Sequence, residues 1–93
     1  MSKIFLVTYD LGAPETRQNY VELGNAIKSM FSKWARPAKS VWLIQSDDGA
    51  GEVRDAIKSH LDSNDKLLVV SLGGAWGTFN ISKEVTDWMR KNI

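Results

Sequence analysis

Apolar and polar positions change period several times along this chain, and each change marks an element. Lys3-Ile4-Phe5-Leu6-Val7-Thr8-Tyr9-Asp10 is rich in residue types that suit a pleated, packed surface. Read with period two, Phe5, Val7 and Tyr9 point one way and Ile4, Leu6 and Thr8 the other. Both sets are largely apolar, which predicts a central strand covered on both faces. Tyr20, Leu23, Ile27, Met30, Phe31 and Trp34 then follow at helical spacing, predicting a helix over roughly residues 18–33. Gly24 costs that helix about 1 kcal/mol relative to Ala, which points to a close approach to the sheet. Pro37 disfavours helical geometry at Arg36, so the helix ends before it.

Residues 38–46 read as a second clear strand, and Trp34–Ala38 as a short edge strand in which Pro37 is tolerable. Asp47-Asp48-Gly49-Ala50-Gly51 is a turn carrying helix-capping acids. A second helix follows, with Val53, Ala56, Ile57 and Leu61 inward. It stops at Asp62-Ser63-Asn64-Asp65, where Asn64 suits a left-handed cap. Lys66 to Leu72 is the third clear strand, again apolar on both faces. Gly73 to Phe79 is an aromatic-bearing glycine loop, and Ile81, Val85, Trp88, Met89 and Ile93 mark an amphipathic C-terminal helix.

Three strands make a poor doubly wound sheet at this length. With the short edge strand inserted, the order becomes βαββαβ. The fold expected is therefore α+β, a ferredoxin-like sandwich with an additional C-terminal helix, in one domain spanning residues 1–93. Both main helices then lie on one face, and the other face needs a cover. Either the helix bearing Val85, Trp88 and Met89 supplies it, or a second subunit does. Four tryptophans in so short a chain, with Trp76 in a loop, favour a homodimer.

Composition adds limits. No apolar run approaches the ~20 residues of a membrane helix, and the N-terminus lacks a signal-peptide pattern. The chain has no cysteine, which removes disulfides, thiolate metal sites and thiol nucleophiles. No membrane association is expected, and a cytoplasmic location is the simplest expectation. A net charge of +1 argues against a general nucleic-acid coat. The charge is nonetheless uneven: residues 1–46 hold six Lys/Arg against three Asp/Glu, whereas residues 47–65 hold two against six.

Asp10 is the sharpest candidate for chemistry. A carboxylate at the mouth of a buried strand suits a hard divalent cation or a general base, and a nearby twofold axis would pair two of them. The alternative is that it caps the following loop by Asx-type hydrogen bonds. Lys33, Trp34, Arg36 and Lys39, with Arg17, combine cations with an indole and suit phosphate contact with base stacking; the alternative is a core Trp among surface cations. The Gly73–Gly77 loop lacks the spacing of a phosphate-binding motif. His60, the one histidine, reads as a surface residue, and no serine sits in a nucleophile elbow.

Val7-Thr8-Tyr9-Asp10, then Lys39-Ser40-Val41-Trp42-Leu43, then a helix and an apolar strand, resemble the small CRISPR-associated protein two family. The Lys39–Trp42 and Asp62–Asp65 stretches are most similar to the SinR-family relatives of that group. Toxins of the virulence-associated protein D group share the fold. The likeness covers about residues 3–72 and implies a ferredoxin-like homodimer. Some members are nucleases dependent on a divalent metal, Mg²⁺ or Mn²⁺, with the strand-one Asp at the dimer axis. Others act as structural partners of another protein. The resemblance thus implies that Asp10 is the metal-binding and catalytic residue, with Tyr9 and Ser40 beside it and RNA or DNA as substrate. Two departures are plain: the loop after Asp10 has only Arg17 as a cation, and the C-terminus is a glycine loop and helix rather than an extra strand.

Overall fold

The computed structural model describes residues 2–14 and 17–93, with the side chains of Arg17 and Gln18 outside that description. In chain order its elements are β1 (Lys3–Asp10), α1 (Arg17–Met30), β2 (Trp34–Ala38), β3 (Val41–Ser46), α2 (Ala50–Lys58), β4 (Lys66–Leu72) and α3 (Lys83–Asn92). The strands form one sheet in the order β2-β3-β1-β4, with every neighbouring pair antiparallel. This is the ferredoxin-like α+β sandwich with an added C-terminal helix.

Alternation along β1 sorts the core into two layers. Phe5, Val7 and Tyr9 join Trp42 and Ile44 beneath α1 and α2, which contribute Leu23, Ile27, Val53 and Ile57. On the opposite face Ile4, Leu43 and Ala35 meet Val85 and Met89 of α3. Trp42 is fully buried at the centre of the first layer. Gly24 lets α1 pass directly over it, since a Cβ there would lie 3.2 Å from Trp42 Cζ2. The sequence expectation of a close approach at this glycine thus has a specific partner.

Helix α3 covers the second face only in part. It is started by Ser82, whose Oγ accepts the Val85 N–H at 3.2 Å, and Arg90 and Lys91 complement its C-terminal dipole. It packs on the β2–β3 side. On the β1–β4 side Leu68 remains 55% and Val70 41% exposed. Strand β4 is therefore apolar on both faces, packed on one through Leu67 and Val69 and covered on the other only at Leu72.

The two sheet edges differ. β2 carries Arg36 and Pro37 and is interrupted by a bulge between Ala35 and Ala38, features that discourage further strand pairing. β4 reads Lys-Leu-Leu-Val-Val-Ser-Leu with none of these devices beyond Lys66.

Several local expectations need correction. α1 ends at Met30 rather than near residue 33, while the edge strand expected over Trp34–Ala38 is β2 with those bounds. The helical stripe runs past the helix end because Phe31, beyond Met30, still packs in the first core layer. The strand expected over 38–46 starts at Val41, because Lys39-Ser40 forms the two-residue turn joining β2 to β3. Ala56 is exposed, and Leu61 lies beyond the end of α2. Among the described residues the only non-glycine with positive φ is Asn80, so Asn64 does not take a left-handed conformation. Trp76 packs half-buried against the second core layer, and Phe79 is the exposed aromatic of that loop at 86%. Among the described residues no helix is long and apolar enough to cross a membrane.

Candidate functional site

The end of the sheet where β1 finishes gathers most of the candidate residues. The β1–β3 register puts Thr8 opposite Val41, and one step further the Tyr9 N–H donates to Ser40 O at 3.3 Å. The hairpin turn Lys39-Ser40 therefore lies beside the exit of β1. Arg36 secures that turn by donating from Nε and Nη2 to Lys39 O, at 3.1 and 2.5 Å. On the other flank Asp10 is opposite Lys66 in the β1–β4 register.

The three residues that the family likeness groups together play different parts. Asp10 is exposed, and among the described residues no hydrogen bond or ion pair engages its carboxylate; the loop-capping alternative finds no partner for it. By strand alternation it shares the face of Leu6, Thr8, Leu68 and Val70, so it stands at the end of the uncovered half of the sheet. Tyr9 points the other way, into the core, where its hydroxyl accepts the Trp42 Nε1–H at 2.8 Å. Tyr9 thus meets Asp10 through the backbone only. Ser40 is half-buried in the turn.

The candidate cations are spread along the α1–β2 edge. Lys39 Nζ lies 4.4 Å from the centroid of the Tyr20 ring, and the Arg36 guanidinium 4.6 Å from that of Trp42. Lys28, which the sequence reading did not single out, sits over Trp34 at 5.2 Å. Trp34 in turn meets Trp42 edge-on at 5.3 Å. Cation–π contacts of this kind hold long side chains in place while their charges stay accessible. Lys33 is exposed at the far end of β2, about 20 Å from Lys39 at the ~3.3 Å rise per strand residue. The Arg17 side chain lies outside the described residues.

Among the described residues, one copy of the chain does not assemble a metal site at this end. Asp10 supplies a single carboxylate, its cross-strand neighbour Lys66 carries the wrong charge for a cation, and a divalent ion wants several oxygens. Among the described residues no group of three or more His, Asp or Glu is arranged to hold a metal.

Two residues that sequence reasoning did not assign to the site are Asn64 and Asp65. Gly12 N–H donates to Asp65 Oδ1 at 2.7 Å, and Asn64 Nδ2 donates to Ala13 O at 2.8 Å. Their Asp-Ser-Asn-Asp stretch was visible as a turn, but nothing local announces a bond spanning more than 50 positions. Beside this junction a cleft of about 160 Å³ is lined by Leu11, Glu22, His60 and Asp62 among others.

No family model matches the chain, and no curated protein matches it. Among solved structures it is similar to the crystal structure of a hypothetical protein, TT1823 from Thermus thermophilus. The TM-score is 0.63 at 22% identity, covering 87% of this chain and 94% of that one. At that identity the likeness concerns the fold.

Proposed function

We propose that this chain is a nucleic-acid-binding module of the CRISPR-associated-protein-two-like group. It engages a sugar-phosphate backbone along the α1–β2 edge and reaches bases or ribose hydroxyls at the Asp10 end. The observation that carries this reading is the run of cations laid on aromatic rings, Lys28 on Trp34, Arg36 on Trp42 and Lys39 on Tyr20. Restrained cations lose little freedom on meeting phosphates, and the partly exposed Trp34 offers a ring for stacking. The Asp10 carboxylate, with no competing partner among the described residues, is free to accept from a base amino group or a 2′-hydroxyl. Fluorescence anisotropy with labelled single-stranded RNA and DNA, without metal, tests it. Three to four phosphate contacts give a log–log salt slope of about −2 to −3, and Arg36→Ala and Lys39→Ala each reduce it. An affinity that ignores salt, or no binding at low salt, defeats the proposal.

One observation favours a second reading, a metal-dependent nuclease. Asp10 stands at the end of the half-face that α3 leaves open, where Leu68 and Val70 are exposed. A second copy seated there would bring two Asp10 carboxylates together and supply the oxygens that one copy lacks. Mg²⁺ or Mn²⁺ held between them would supply a Lewis acid and a bound water, with Ser40 nearby. Cleavage that persists in Asp10→Ala counts against this reading.

A further inference from the structure

We infer that Asp65 is a positioning residue for the Asp10 end: its carboxylate fixes the path of the chain as it leaves β1. The inference rests on the reading that this end of the sheet contacts nucleic acid. The β1–β4 ladder runs as far as Asp10 opposite Lys66 and stops. Continued by register, it would set Gly12 opposite Asn64. The Asp65 side chain takes over instead. Its Oδ1 accepts the Gly12 N–H at 2.7 Å, and its Oδ2 accepts the Asp62 N–H at 2.7 Å. Both oxygens of one carboxylate are thus spent on backbone amides, one in its own turn and one in the loop after Asp10. Such charge-assisted bonds are about twice as strong as neutral ones. Asn64 Nδ2 adds a third link to Ala13 O at 2.8 Å.

Gly12 is what lets the two segments close. A Cβ there would fall 2.5 Å from the Asn64 side chain and also 2.5 Å from Asn64 main-chain O, and a main-chain atom cannot simply swing aside. The 62–65 turn and the exit of β1 therefore move as one body. Asp10, two residues before the clamp and held by β4 on its flank, takes its direction from that body.

Two measurements test this on the intact 93-residue chain. Amide hydrogen exchange reads the clamp itself: Gly12 exchange rises at least tenfold in Asp65→Ala and by less in Asp65→Asn, whose one carbonyl oxygen can accept from only one of the two amides. Unchanged Gly12 exchange overturns the clamp. Oligonucleotide affinity reads positioning. Asp65→Ala weakens binding about tenfold, the scale of one lost charge-assisted hydrogen bond, Asp65→Asn weakens it less, and Asp65→Ala adds nothing once Asp10 is already Ala. Full additivity of the two substitutions overturns the positioning role, whatever the change in melting temperature. If Asp65→Ala does not fold, Asp65→Asn and Gly12→Ala carry the same comparison. Failure of the wild-type chain to bind any oligonucleotide overturns the functional reading, while Gly12 exchange still decides the clamp.

Discussion

At the scale of single residues the hydrogen bond from Trp42 Nε1 to the Tyr9 hydroxyl shows how the centre of the molecule is specified. Both side chains are buried, and the largest side chain in the core carries a donor that has to be met. Tyr9 meets it from the neighbouring strand. Tyr9→Phe keeps the ring and removes the acceptor, leaving the indole N–H buried without a partner. Urea unfolding should show a loss of about 1–3 kcal/mol; a variant as stable as the parent would mean that water reaches the indole. Because the Tyr9 hydroxyl belongs to the core, this variant should leave oligonucleotide affinity unchanged where it remains folded.

Among the elements, α3 combines packing onto the sheet with charge pairs made inside the helix. Val85 and Met89 dock it on the second face, while Asp87 is shared between Lys83 at 2.6 Å and Arg90 at 3.1 Å. The hydrogen bond from Lys83, aided by the charges of Lys83 and Arg90, holds the Asp87 carboxyl below its ordinary value of 3.8. A carboxyl depressed in the folded state stabilises that state above the unfolded value, and the contribution disappears as pH falls through the folded one. Helical circular dichroism followed between about pH 5 and pH 2 should show a slightly larger loss in the parent than in Asp87→Asn, as the intrahelical pairs are lost. Superimposable profiles would remove Asp87 as its cause. The elements were also the most legible part of the sequence. Period two in β1 and period 3.6 in α1 and α3 come from local sterics and one-sided burial, which a single chain segment records. The short β2 could be read because Pro37 forbids a helix there. What could not be read depends on contacts distant in sequence. The end of α1 at Met30 depends on the chain turning back after Phe31, and α3 covering only half a face is a matter of docking. At the site, Asp10 and the cations of the α1–β2 edge were legible as residue types. The separation of Tyr9 from Asp10, the place of Lys28 and the clamp by Asp65 all require the register of the sheet.

For the whole molecule, the open half-face formed by β1 and β4 is the feature with the largest consequence. Leu68 and Val70 lie exposed beside Thr8 and Asp10, and their burial yields roughly 25 cal/mol per Å². We propose that a second copy covers them, as the sequence pattern led us to expect. Sedimentation at micromolar concentration should give a dimer for the parent and a folded monomer near 10.4 kDa for Val70→Lys. A parent that sediments as a monomer would remove the dimer and the paired Asp10 carboxylates with it. The unequal edges of the sheet bear on what such an association becomes. A sheet able to add strands on both sides invites a third and a fourth chain, and its natural end is a fibre. Here Arg36, Pro37 and the bulge close one side, so each chain has one open valence at β4. Were chains to pair edge to edge rather than face to face, two of them would use up both valences and growth would stop at two.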